Sequence, residues 1–114
     1  RFTLTPQTMK SSIKKLPFVS VIILNYNGAR VISATLDSVL ASEYPKGNFE
    51  VIVVDNKSSD NSKKVLKKYA KHPLINVLYN PVNNGFTGGN NLGVENARGD
   101  YVILLNNVIS GNHT

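Results

Sequence analysis

Four segments of this chain run from apolar residues straight into an amide-rich polar stretch. The sharpest is Val51 to Asp60, VIVVDNKSSD, where four apolar residues lead into Asp55 and a turn-forming tail. A buried parallel strand that delivers a carboxylate to the open edge of a sheet is written this way. VSVIIL is followed by Asn25, Tyr26, Asn27 and Gly28, and Asp55 by Asn56, Lys57, Ser58, Ser59 and Asp60. INVLY is followed by Asn80, then by Asn83, Asn84, Gly85, Phe86, Thr87, Gly88, Gly89, Asn90 and Asn91, and YVILL by Asn106 and Asn107. An asparagine amide both donates and accepts, which suits base edges and sugar hydroxyls. Tyr26 offers a face on which a planar base can stack. Glycines at a helix start admit a phosphate to the backbone. Each feature also has a structural explanation: Asp and Asn are turn residues, Asp60 can cap a helix, and Tyr26 can simply pack. Their joint occurrence at four successive strand ends favours a site.

The elements that must position these residues alternate. Strands are expected at Val19–Leu24, Glu50–Val54, Ile75–Tyr79 and Tyr101–Leu105. Helices are expected at Ala29–Ala41, Ser62–Lys71 (closed by Pro73) and Gly88–Ala97. Strand and helix in alternation predict an α/β fold, a Rossmann-like parallel sheet of about four strands with right-handed crossovers. The expected order is 3-2-1-4, which puts the topological switch point between strands one and four. Residues 1–16 read as a leader or linker, 17–107 as the folded unit and 108–114 as a divergent tail.

Composition narrows the class. A chain of 114 residues with 41% apolar content has room for one small domain. It has no cysteine, so disulfide scaffolds and thiolate metal sites are excluded. Its longest apolar runs are too short to cross a bilayer, and a cytoplasmic location is expected. Much of the net charge of +6 sits in Lys57, Lys63, Lys64, Lys67, Lys68 and Lys71. A solvated helix face is the plain explanation, and peripheral contact with an anionic membrane is the alternative. The one aromatic residue among these lysines, Tyr69, belongs to the inner side of the helix, which argues against a nucleic-acid partner.

Other α/β sites fit poorly. NYNGAR after the first strand is not GxGxxG, and no GxxxxGK precedes a Ser or Thr. A phospho-receiver domain can use Asp55 as acceptor, but Asn25 and Asn27 are neutral where an acidic pair would hold magnesium. Taken together, VSVIILNYNG, VIVVDNKSSD and NNGFTGGNNLGVENARGDYVILLNN resemble the nucleotide-binding half of an inverting family 2 glycosyltransferase, in the rhamnosyltransferase-like branch. The likeness covers residues 18–107. It implies a glycosyltransferase-A fold, a uridine or thymidine diphosphate sugar as donor, and Mg2+ or Mn2+. It implies that Tyr26 lies against the base, that Asp55 bonds base or ribose, and that Asn84, Gly85 and GGNN form the far wall with Asn90 nearest the donor. An acceptor saccharide or lipid-linked saccharide follows from the same likeness.

Two departures qualify it. After LLNN the family has a metal-binding aspartate, and this chain has Val108. Valine offers no oxygen to a hard cation, leaving Asn106 as a weak carbonyl ligand. The family's acceptor half and its catalytic base lie beyond this motif, and no acidic residue follows Leu105. The expectation is a truncated, donor-binding part that is inactive alone. A non-enzymatic module that associates with itself through an uncovered sheet edge is the competing hypothesis.

Overall fold

The computed structural model describes residues 16–108. The elements are β1 (Val19–Tyr26), α1 (Ala29–Leu40), a single 3-10 turn (Lys46–Asn48), β2 (Phe49–Asp55), α2 (Ser62–Tyr69), β3 (Ile75–Tyr79), α3 (Gly85–Glu95) and β4 (Tyr101–Val108). They form one parallel sheet in the order β3-β2-β1-β4, as the alternation of elements implies.

The two central strands are covered on both faces, so their apolar runs are continuous rather than alternating. Val21, Ile23, Val51 and Val53 pack under Ile32, Leu36 and Val39 of α1 and Leu66 of α2. Ile22, Leu24, Ile52 and Val54 pack on the other face, with Leu92 of α3 against them. α3 has little apolar stripe and is seated by close approach instead. A Cβ at Gly89 would lie 2.4 Å from Leu24 Cδ1, and one at Gly93 would lie 2.4 Å from Ile22 Cγ2. Helix and sheet meet there at a distance that side chains would prevent.

Several boundaries differ from the sequence expectation. α3 starts at Gly85 rather than Gly88 because Asn83 Oδ1 accepts the Gly85 N–H at 2.9 Å and turns the chain early. β1 continues through Asn25 and Tyr26, and β4 through Asn106 and Asn107. Polar side chains remain in these strands because they bond across the ladder, in the register Asn25↔Asp55 and Asn25↔Asn107. The expected leader lies outside the described residues apart from Leu16, which packs on the core and belongs to the fold. The expected tail lies outside them apart from Val108, whose backbone continues β4 in register with Tyr26.

The N-terminal edge of the sheet is fastened by two carboxylates, Asp100, whose Oδ2 accepts the Phe18 N–H at 3.0 Å, and Glu50. Glu50 Oε2 accepts from Ser20 Oγ at 2.6 Å and from the Arg98 N–H at 2.8 Å, and Arg98 Nη2 lies 3.1 Å from Oε1. Burial pushes the Glu50 acid up, but the bonds from Ser20 and Arg98 outweigh it and hold Glu50 below the usual range.

Candidate functional site at the strand ends

Strand parity sorts the polar strand ends into two layers, one on each face. On the α1 and α2 side, Asn107 Nδ2 donates to Asn25 Oδ1 at 2.7 Å, and Asn25 Nδ2 donates to Asp55 Oδ1 at 2.9 Å. Ser58 Oγ adds a bond to Asp55 Oδ1 at 2.7 Å, and the Ser58 N–H one to Oδ2 at 3.1 Å. This chain of bonds crosses β4, β1 and β2. Asn25 is fully buried and Asp55 is 2% exposed. Asp55 therefore fastens the edge, with both oxygens engaged by protein donors. Asn27 has φ +53, and its Oδ1 accepts the Ser59 N–H at 2.8 Å, tying the β1 loop to the β2 loop. Gly28 closes this layer: a Cβ there would fall 2.3 Å from Asn107 Nδ2.

The second layer lies on the α3 side. Asn80 Nδ2 donates to Asn56 Oδ1 at 2.7 Å and to Asn84 Oδ1 at 2.8 Å. Asn56 Nδ2 in turn bonds Asn83 Oδ1 and the Gly85 carbonyl at 2.9 and 3.1 Å. These contacts fix the loop that opens α3. Tyr26 is half-buried, and parity puts it on this side, beyond Leu24. Asn90 Nδ2 reaches Asn106 Oδ1 at 3.3 Å. Asn90 is 7% exposed, and its Oδ1 is buried with no hydrogen-bond partner among the described residues. An orphan acceptor of this kind is costly in a folded protein. A shallow polar groove of about 310 Å³ runs alongside, lined by Asn80, Asn84, Gly88, Asn91, Leu92 and Glu95.

β1 and β4 pair along their whole length, and the opening between them is the topological switch point beyond their C-terminal ends. α1 and α2 cover one face and α3 the other, so the chain switches sides there. Ligands of open α/β sheets sit in this kind of crevice. Asn25, Tyr26, Asn27, Asp55, Asn56, Asn84, Gly85, Asn90, Asn106 and Asn107 stand at or beside this edge, but in two layers rather than as one wall. Ser58, Asn80 and Asn83 were named among the strand-end residues without a role of their own, yet they hold Asp55, Asn56 and Asn84 in place. Position after a strand end was the available signal for all three.

The carboxylates leave the opening unoccupied by free acid. Asp60, at the rim, accepts the Ala29 and Ser62 N–H groups at 3.0 and 2.9 Å. Burial pushes Asp60 up, but those bonds hold it below the usual range. Glu50 and Asp100 stand at the start of β2 and β4, the opposite edge, and Glu95 ends α3. Asp37 on α1 accepts from Tyr69 Oη at 2.9 Å. Burial, and then the Asp55 charge, push the Tyr79 phenol up.

A divalent cation does not fit this donor set. Among the described residues no three Asp, Glu or His side chains gather. Asp55 is engaged by Asn25 and Ser58, Asn106 Oδ1 accepts from Asn90, and valine at position 108 supplies no oxygen.

The model of glycosyl transferase family 2 matches residues 20–107. The glycosyltransferase AglE of Haloferax volcanii is 36% identical over 91 residues, which are 79% of this chain and 30% of AglE. A mannosyltransferase of Pyrobaculum calidifontis, solved with GDP-Man and Mn2+, superposes with a TM-score of 0.76 at 29% identity, over 82% of this chain and 28% of the other. Staphylococcus aureus TarS, solved with UDP-GlcNAc, superposes with a TM-score of 0.73 at 30% identity, over 79% of this chain and 26% of the other. This chain thus spans less than a third of each of these relatives.

Proposed function

The chain belongs to glycosyl transferase family 2, and from that premise we propose that the opening between β1 and β4 holds the nucleoside diphosphate of a sugar donor. The reaction class is transfer of the sugar to an acceptor hydroxyl. The carrying observation is Asn90: a buried carbonyl oxygen without a partner, beside the switch point, is an acceptor waiting for an N–H or O–H. A base imino group or a ribose hydroxyl supplies that donor. Tyr26, on the same face, offers the ring surface for the base. The strand-end bonds keep the pocket wall rigid before the ligand arrives.

The donor is a uridine or thymidine diphosphate sugar, with guanosine as the comparison that the mannosyltransferase neighbour raises. Placement in the rhamnosyltransferase-like branch is proposed from VSVIILNYNG, VIVVDNKSSD and NNGFTGGNNLGVENARGDYVILLNN taken together. The chain binds the donor without turning it over: Asp55 and Asp60 at the strand ends are engaged by protein donors, and Glu95 stands at the far end of α3.

Calorimetric titration with UDP, TDP and GDP tests this, alongside Asn90→Leu. The variant removes the orphan acceptor together with the 3.3 Å bond to the exposed Asn106, so the melting temperature should change little while nucleotide affinity falls about tenfold or more. Binding that is equal in the variant, or absent from the parent, overturns the proposal.

A second reading is favoured by one observation. β4 is an edge strand whose Val102 and Leu104 are 40% and 48% exposed, with Val94 of α3 also exposed. Two copies pairing along β4 would cover these residues. Sedimentation as a monomer at high concentration would refute it.

A further inference from the structure

The lysine cluster is not explained by the strand-end opening. Lys63, Lys64, Lys67, Lys68 and Lys71 are all exposed, and among the described residues no carboxylate lies within ion-pair distance of them. α2 turns Leu66 and Ser62 inward and presents Lys63, Lys64, Lys67 and Lys68 outward over about 12 Å of helix. The arrangement opposes helix stability twice. Lys63/Lys67 and Lys64/Lys68 are like-charge pairs at i, i+4. Lys63 and Lys64 also occupy the first turn, at the positive end of the helix dipole, where the only acid is Asp60, placed before the N-cap. A local conflict of this kind in an otherwise consistent fold points to a role outside folding.

Tertiary structure adds what the sequence lacks. The ammonium of Lys63 lies over the Tyr79 ring, 5.5 Å from its centroid. Tyr79, at the end of the β3 edge, is exposed beside Lys63, and Val82 in the loop that follows is exposed as well. Lysines flanking an exposed tyrosine and an aliphatic side chain are suited to a lipid headgroup boundary. For a nucleic acid the fit is poor. One ring face is already covered by Lys63, and the cluster has no arginine to stack or to grip phosphate in a fork.

We propose that the α2 face, with Tyr79 and Val82 at its border, is a docking surface for an anionic lipid bilayer. Charge complementarity selects the partner. The face lies on the α1 and α2 side, toward β3, with β2 and β1 between it and the β1/β4 opening. A bilayer seated there leaves the opening accessible to a soluble ligand.

The test is co-sedimentation of the full chain with vesicles of phosphatidylcholine containing about 30 mol% phosphatidylserine. Binding is expected at about 0.1 M salt, with loss at about 0.5 M and on pure phosphatidylcholine. Lys63→Gln, Lys67→Gln and Lys68→Gln together should weaken it roughly fivefold per lysine, on the order of a hundredfold in all, with an unchanged or raised melting temperature. Lys10→Gln, Lys14→Gln and Lys15→Gln remove the same net charge without touching α2 and should leave most of the binding. Equal loss in both triple variants, undiminished binding in the first, or tighter binding to an oligonucleotide than to the vesicles would each overturn the proposal.

Discussion

Replacing Asn25 by aspartate swaps an amide nitrogen for an oxygen at the centre of the strand-end bonds and changes almost nothing in size. The new oxygen would face Asp55 Oδ1 across the 2.9 Å now bridged by an N–H. Two full charges at that distance repel by about 6 kcal/mol at an effective dielectric of about 20. The folded protein avoids this by keeping the introduced carboxyl protonated, so that its O–H replaces the lost donor. Its carbonyl still accepts from Asn107. The unfolded chain ionises the same group above about pH 3.9. A group whose folded pKa is raised in this way binds more protons folded than unfolded, so stability falls as pH rises. The penalty relative to the parent should be under about 1 kcal/mol at pH 4 and grow by about 1.4 kcal/mol per pH unit, to about 4 kcal/mol at pH 7. Urea unfolding of parent and variant between pH 4 and 7.5 measures it. A pH-independent difference would mean that Asn25 and Asp55 are not partners, and the first layer of the site would be wrong.

Gly93→Ala should destabilise by about 1–3 kcal/mol in urea unfolding, because its Cβ would fall 2.4 Å from Ile22 Cγ2 and lift α3 from the sheet. No loss would mean that α3 does not sit that close. Glu50 is held below the usual carboxylate range by Ser20 and Arg98, so its contribution is present above about pH 4.5 and lost as pH falls below that. Thermal melts of Glu50→Gln from pH 6 to 3 should show a lower melting temperature near neutrality and a shallower acid decline; parallel curves would contradict this. Val108→Asp, which restores a carboxylate after Asn107, should make nucleotide binding tighten with Mn2+ in calorimetry, and an unchanged metal response would refute the account of the missing ligand.

The sheet order was legible because VSVIIL, EVIVV and YVILL are continuous apolar runs, each followed by a polar break. Helix α1 was legible from Ile32, Leu36 and Val39 at helical spacing. α3 was less so. Its fit depends on Gly89 and Gly93 meeting Leu24 and Ile22, and hydrophobic periodicity carries no trace of a contact made by absent side chains. The strand ends ran longer than expected because polarity was read as termination, whereas Asn25 and Asn107 continue the ladder by bonding to each other. The site was legible as a location but not as an arrangement. Parity along each strand, applied to Asn25, Tyr26, Asn106 and Asn107, would have separated the two layers. The internal satisfaction of Asp55 was not accessible, since it needs Asn25 and Ser58 at bonding distance. Nor was the meeting of Tyr79 with Lys63, which stand on a strand and a helix joined only by the fold.

The most direct measurement is a nuclear magnetic resonance titration of uridine diphosphate into the isotopically labelled chain, following the side-chain amides of the asparagines together with the backbone. Saturable shifts centred on Asn90, Asn106 and Tyr26, with the α2 lysines and the Glu50 end of the sheet unmoved, are the predicted outcome. Shifts confined to α2 or to the N-terminal edge, or no saturable shift with uridine, thymidine or guanosine diphosphate, would contradict the claim that the opening between β1 and β4 receives a nucleotide.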